Sequence, residues 1–168
     1  IIHKIYVWLC VADHYAIQQE YSKTMHIHMY FTDFEKVLPN TYKLLDTINA
    51  NTAFTTFGKS TTHMTLYRKE EWYKVFLHET FHSLGLDFQS TMITENAFRK
   101  YLGINDVSLR LGESYCETMA TIIHLLLVQD ILNDSFENIL EKMEITINQE
   151  RAFSMFQCTK ILDYNGLS

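Results

Sequence analysis

Two histidines and a glutamate lie within five consecutive residues, in the segment His78-Glu79-Thr80-Phe81-His82. On an α-helix, residues four apart lie on the same side, one turn from each other, so His78 and His82 can bind one metal ion. Glu79 lies beside them, where it can accept a proton from a water molecule that the metal activates. The segment therefore predicts Zn²⁺ as cofactor, two histidine ligands and Glu79 as the general base.

A catalytic zinc site needs a third protein ligand and one open position. A third histidine three residues after Gly85 would complete one common arrangement, but Phe88 stands there. The other common arrangement takes a glutamate from a following helix, and Glu113 and Glu117 lie one turn apart on such a helix. We favour Glu113 as the ligand, with Glu117 accepting a hydrogen bond from one of the two histidines. The reverse assignment, with Glu117 as the ligand, stays open.

Proton transfer by Glu79 would serve the hydrolysis of a peptide bond, since the same carboxylate can pass its proton to the leaving amine. Such sites usually use a tyrosine or histidine to stabilise the oxyanion that forms on the carbonyl. Tyr101, Tyr115 and His124 lie on neighbouring segments, and the sequence does not choose among them.

Two helices must position these groups. The first is predicted from about Lys69 to Leu84; it is apolar around most of its girth, which indicates burial between layers. The second is predicted from about Leu109 to Leu132 and carries the two glutamates. The small residues Cys116 and Ala120 follow each acid by three positions, which would let the two helices approach closely.

Two strands are predicted before the central helix. Ile1–Leu9 is rich in β-branched and aromatic residues, and in Thr24–Phe31 apolar residues alternate with polar ones. A hairpin is predicted from Asn51–Phe57 and His63–Tyr67, joined by a loop that contains Gly58. An exposed edge of this hairpin would let a polypeptide substrate add as a further strand.

His26 and His28 share one face of the strand Thr24–Phe31, a spacing that zinc ligands on a strand can have. No third ligand is in sight nearby in the sequence. We therefore interpret the pair as solvent-facing, beside a core face of Ile27, Met29 and Phe31.

The fold class that these elements predict is α+β: a small N-terminal antiparallel or mixed sheet packed on a helical core that holds the active-site helix and the Glu-bearing helix. One proline, five glycines and no repeat give no sign of a linker, so residues 1–168 are predicted to form a single domain. Further helices are predicted at Asp13–Tyr21, Thr41–Ile48, Thr94–Tyr101, Ser135–Met143 and Asn148–Tyr164.

Composition excludes several classes of protein. A formal charge of −6 leaves no basic stripe for phosphates, so no nucleic-acid partner is expected. The apolar run from Ile5 to Ala12 is too short to span a bilayer, so no membrane association is expected.

Three cysteines without a CxxC pair indicate a reducing compartment and a cytoplasmic location. A chain that starts with isoleucine and stops without a tail is interpreted as a segment of a longer or processed polypeptide.

The order of strands, hairpin and helices, together with the segments His78–His82 and Glu113–Glu117, resembles the gluzincin branch of zinc metallopeptidases. The resemblance covers about residues 63 to 130. It implies a zincin-like fold and a zinc-dependent peptidase that hydrolyses peptide bonds.

The segment Tyr67–Phe76, running into His78-Glu79 and on to Gly85–Phe88, resembles predicted metallopeptidases of large nucleocytoplasmic DNA viruses. That resemblance implies a virion or virus-factory location, with virion or capsid proteins as partners. It also supplies the alternative function, a structural minor capsid-associated protein that retains a zincin fold without turnover. An intact Glu79 favours the peptidase, because a purely structural site needs no general base.

Overall fold

The computed structural model describes residues 1–16, 24–39, 47–56, 61–87, 92–103, 109–128 and 134–166. Within these ranges the protein has six helices and one three-stranded mixed sheet, so the predicted α+β class is confirmed. The helices are α1 (Ile2–Tyr15), α2 (Thr47–Ala50), α3 (Trp72–Ser83), α4 (Met92–Leu102), α5 (Leu111–Val128) and α6 (Phe136–Tyr164). The strands are β1 (Thr24–Thr32), β2 (Ala53–Thr56) and β3 (Thr61–Arg68).

The chain forms two compact units. The first comprises Ile1–Asp33 and Thr52–Thr121 and contains the whole sheet together with α1, α3, α4 and the first part of α5. The second comprises Phe34–Asn51 and Ile122–Ser168. Every predicted zinc ligand and the predicted base lie in the first unit. The single-domain organisation of residues 1–168 stays a prediction.

The sheet has the strand order β1-β3-β2, with β1 parallel and β2 antiparallel to β3. The predicted strand at Thr24–Phe31 and the predicted hairpin are therefore confirmed, and the hairpin loop at 57–60 lies outside the described residues. Along β3 the side chains alternate, because successive residues of a strand point to opposite faces. Met64 and Leu66 are fully buried on one face, whereas His63 is exposed on the other.

The prediction of a strand at Ile1–Leu9 is wrong, because this segment belongs to α1. Ile5, Trp8, Leu9 and Ala12 recur at helical spacing and form the less exposed side of the helix. Trp8 is 3% exposed, and its ring stacks on Phe81 of α3 at 5.9 Å between centroids. Packing against α3 thus outweighs the strand propensity of the β-branched residues.

Helix α3 is the centre of the first unit, as its apolar girth predicts. Tyr73, Phe76, Leu77 and Phe81 are buried, and the helix packs on β2 and β3. From α1, the indole Nε1 of Trp8 donates a hydrogen bond of 2.6 Å to Oγ1 of Thr80. Neighbours on several sides fix the rotation of α3, and that rotation decides where its polar residues point.

Helices α4 and α5 confirm the predictions at Thr94–Tyr101 and, as far as Val128, at Leu109–Leu132. The separate helices predicted at Ser135–Met143 and Asn148–Tyr164 are wrong, because α6 runs without a break. No glycine or proline lies between Met143 and Asn148, so nothing in this segment ends the helix. The predicted helices Asp13–Tyr21 and Thr41–Ile48 lie partly outside the described residues, at 17–23 and 40–46.

In the second unit, the hydroxyl of Ser135 caps α6 by accepting a hydrogen bond of 3.3 Å from the backbone N–H of Asn138.

Among the helices that the structure describes, none is both long enough and apolar enough to cross a membrane.

Candidate metal centre

His78 and His82 lie one turn apart on α3, and their rings converge. The two Nε2 atoms are 3.2 Å apart. From α5, Oε2 of Glu113 lies 3.3 Å from Nε2 of His78 and 3.4 Å from Nε2 of His82. The structure therefore brings together three potential ligand atoms in a nearly equilateral triangle.

The size of this triangle fits zinc. Zinc binds histidine nitrogen and carboxylate oxygen at about 2.0–2.1 Å in tetrahedral sites, which separates neighbouring ligand atoms by about 3.3–3.4 Å. The three separations among His78, His82 and Glu113 have this length. The Glu113 side chain is 50% exposed, so solvent reaches the triangle on the side of Glu113.

A carboxylate stands behind each histidine, at the ring nitrogen that does not face the triangle. Nδ1 of His82 lies 2.8 Å from Oδ2 of Asp87, and Nδ1 of His78 lies 3.2 Å from Oε2 of Glu117. Lys74 holds Glu117 from the other side, because its Nζ donates to Oε1 at 2.5 Å. Carboxylates in these positions orient metal-binding histidines and keep Nε2 available as the ligand atom.

The end of α3 places Asp87. Gly85 adopts a left-handed conformation with φ of 62°, which glycine accepts without strain. The N–H of Leu86 donates to the carbonyl of Phe81 at 2.8 Å, and the N–H of Gly85 donates to that of His82 at 3.3 Å. These two bonds form a Schellman motif, which reverses the chain and returns Asp87 to the last turn of the helix.

The electrostatics of the histidines follow from these neighbours. Burial acts to lower the pKa of His78, but the carboxylates of Glu117, Glu79 and Glu113 outweigh it and raise the pKa above its ordinary value. The contact with His78, opposed by burial and reinforced by Lys74, lowers the pKa of Glu117 to about 2. Negative charge is thus concentrated around the imidazoles, which favours a cation at the triangle.

Glu79 lies next to His78 on α3 and is half-buried. Its Oε2 accepts a hydrogen bond of 2.5 Å from Oγ1 of Thr55 on β2. Since Thr55 belongs to a strand at the edge of the described sheet, its hydrogen bond joins Glu79, the predicted base, to the hairpin predicted to bind substrate. The role of Thr55 could not be predicted, because nothing in the sequence shows which strand residue faces the helix.

A second group of ligand atoms comprises His82, Asp87 and Cys116. Cys116 is fully buried, and burial together with Asp87 and the glutamates raises its pKa to about 12. A thiol must lose its proton to bind a metal, so this environment opposes metal binding. The group that includes Glu113 is therefore the better metal site.

The three candidates for stabilising an oxyanion, Tyr101, Tyr115 and His124, lie in different environments. Tyr101 is 85% exposed at the end of α4. The ring of Tyr115 packs edge-on against Phe81 at 6.0 Å between centroids, within the apolar side of α3. His124 lies in the second unit.

No protein-family model matches the chain, and no curated protein and no solved structure gives a significant match.

Proposed function

We propose that this chain is a zinc-dependent peptidase with a zincin-like, gluzincin-type fold. The observation that carries this proposal is the triangle of His78, His82 and Glu113, whose sides of 3.2–3.4 Å suit one zinc ion. Glu79 follows His78 directly on the same helix, as a general base for hydrolysis requires. The carboxylates behind both rings support a metal site, because they orient the imidazoles toward the same point.

Glu113 is the proposed third ligand, because its Oε2 lies at nearly equal distances from both Nε2 atoms. Glu117 instead contacts the opposite nitrogen of His78 and Lys74, which suits a residue that positions the histidine. Bound here, zinc would supply a Lewis acid and lower the pKa of water. Because Glu113 is half-exposed, a substrate carbonyl could approach the zinc from the side of this residue.

Glu79 is the proposed proton carrier. Its carboxylate accepts a proton from the attacking water and passes it to the leaving amine, so one residue serves both halves of the reaction. Thr55 restrains the carboxylate through the hydrogen bond to Oε2 and leaves Oε1 for the proton.

A polypeptide in extended form is the proposed substrate. Within the described residues β2 pairs only with β3, so its other edge offers backbone groups to a further strand. A peptide paired there would run beside Thr55 and therefore close to Glu79. Backbone pairing supplies affinity without side-chain specificity, so a broad peptide library is the appropriate first probe.

The test compares wild-type protein with Glu79→Gln, using zinc content and cleavage of the peptide library as readouts. Glu79→Gln should keep zinc at the His78/His82 site and lose about a hundredfold or more in cleavage rate, the usual contribution of a general base. Glu70→Gln, an exposed change before the same helix, is the matched control and should behave as wild type. Binding of zinc without cleavage by any form would overturn the peptidase and favour the structural minor capsid-associated protein.

A further inference from the structure

Three histidines form a cluster on the exposed face of the sheet. His26 and His28 come from β1, and His63 comes from β3. The ring of His63 stacks on that of His26 at 4.8 Å and on that of His28 at 5.8 Å between centroids. Nδ1 of His63 lies 3.5 Å from Nε2 of His28. This cluster lies on the face opposite Met64 and Leu66, which are buried.

Strand register produces the cluster. His26 and His63 are directly paired across the parallel strands β1 and β3, and His28 follows His26 by two residues on the same face. Neighbouring strands are about 4.8 Å apart and alternate residues are separated by about 6.6 Å, distances that imidazole side chains can bridge to one ion. His63 thus lies where a third ligand would be needed, a position that the sequence around His26 and His28 does not reveal.

We propose that His26, His28 and His63 form a second metal site, which binds a late first-row divalent cation such as Zn²⁺, Cu²⁺ or Ni²⁺. Imidazole nitrogen suits these three ions, and three such ligands leave positions for solvent. The contact of 3.5 Å between His63 and His28 is close to the separation of neighbouring ligands on one zinc ion. All three side chains are exposed, so the rings can turn out of their stack to converge on an ion.

This site is independent of the proposed peptidase centre. It lies on the sheet, uses none of the residues of α3 and α5, and requires no turnover. The proposal can therefore stand or fall separately from the zinc site at His78 and His82.

Zinc binding measured by equilibrium dialysis tests the proposal, with the whole chain and with zinc as the probe. The background variant His82→Gln removes the first site, so any remaining tight zinc reports on the cluster. Adding His63→Asn should lower the remaining zinc affinity by at least about tenfold, since losing a ligand costs no less than losing its outer partner. His28→Asn should act in the same way, and His3→Asn, an exposed histidine on α1, is the matched control.

A Cu²⁺ titration followed by electron paramagnetic resonance gives a second readout. In the His82→Gln background the spectrum should show nitrogen ligands from imidazole, and His63→Asn should reduce them. Circular dichroism confirms that each variant is folded. Equal zinc affinity and equal copper spectra with and without His63 would overturn the proposal. If His82→Gln leaves zinc binding unchanged while His63→Asn lowers it, the cluster stands and the peptidase centre fails.

Discussion

Nδ1 of His82 lies 2.8 Å from Oδ2 of Asp87, while Nε2 of the same ring lies 3.4 Å from Oε2 of Glu113. Asp87 therefore holds the imidazole of His82 at Nδ1 and leaves Nε2 directed toward Glu113. Asp87→Ala should weaken zinc binding by about 10- to 100-fold, because the ring loses the carboxylate that fixes its orientation and tautomer. Competition with a chromophoric zinc chelator measures this affinity.

Asp33→Ala is the matched control for that change. Asp33 is 91% exposed and lies 3.6 Å from Lys69, away from the histidines of α3. Its zinc affinity should equal that of wild type. If Asp87→Ala also binds zinc as tightly as wild type, Asp87 does not position His82.

The two glutamates of α5 should differ in their effect on zinc. Glu113→Gln removes the anionic oxygen that lies 3.3 and 3.4 Å from the two Nε2 atoms, so a proposed ligand is lost. Glu117→Gln removes a group that touches Nδ1 of His78 and Nζ of Lys74. Glu117→Gln should cost about 10- to 100-fold in zinc affinity, and Glu113→Gln should cost more.

The same chelator competition distinguishes the two assignments. Both substitutions are isosteric and lie one turn apart on one helix, so each serves as the control for the other. A larger loss for Glu117→Gln would reverse the assignment and make Glu117 the ligand. Equal and negligible losses would exclude both glutamates from the metal centre.

Helical spacing fixes which residues share one side of a helix. The sequence therefore predicts that the two histidines of α3 share a side, as do the two glutamates of α5. His78 and His82 converge, as their spacing on one helix leads us to expect. Glu113, the ligand expected from a following helix, reaches both of them. Asp87 could have been found by the same logic, since Gly85 after the helix predicts a left-handed turn that brings the next residues back.

Other contacts of the candidate metal centre and of the sheet could not be predicted, because they join segments that are distant in the sequence. Thr55 reaches Glu79, and His63 pairs with His26, only through the packing and register of strands. Strand register has no signature in one isolated segment when both faces carry mixed residues. At the amino terminus, packing of Trp8 against Phe81 of α3 outweighs the local strand propensity, and this contact joins segments far apart in the sequence.

Cys116 should resist alkylation in the folded protein. It is fully buried and its pKa is raised to about 12, whereas Cys10 and Cys158 are exposed. A thiol with this pKa stays protonated between pH 7 and 9, so it provides almost no thiolate for the reaction. Mass spectrometry after iodoacetamide treatment should show two rapid additions at both pH values and a third only in denaturant.

The matched comparison is Cys116→Ala, which should give the same two rapid additions and no third one in denaturant. Three additions to the folded wild-type protein at similar rates would contradict the burial of Cys116.

The hydrogen bond between Trp8 and Thr80 should contribute measurably to stability. Thr80 is fully buried; its Oγ1 accepts from Nε1 of Trp8 at 2.6 Å and donates to the carbonyl of Leu77 at 2.6 Å. Thr80→Val keeps the shape but leaves the buried indole N–H without its acceptor. The free energy of unfolding should fall by about 1–3 kcal/mol, the cost of an unsatisfied buried donor. Urea denaturation measures the change.

A double-mutant cycle with Trp8→Phe isolates the bond, because Trp8→Phe removes the donor itself. The double variant should be more stable than the sum of the two single losses predicts, since Thr80→Val leaves nothing unpaired once the indole is gone. Additive losses would show that the two side chains do not interact. Zinc binding should stay unchanged in Thr80→Val, because the histidines of α3 keep their carboxylates. Weaker binding would instead show that α1 sets the rotation of α3.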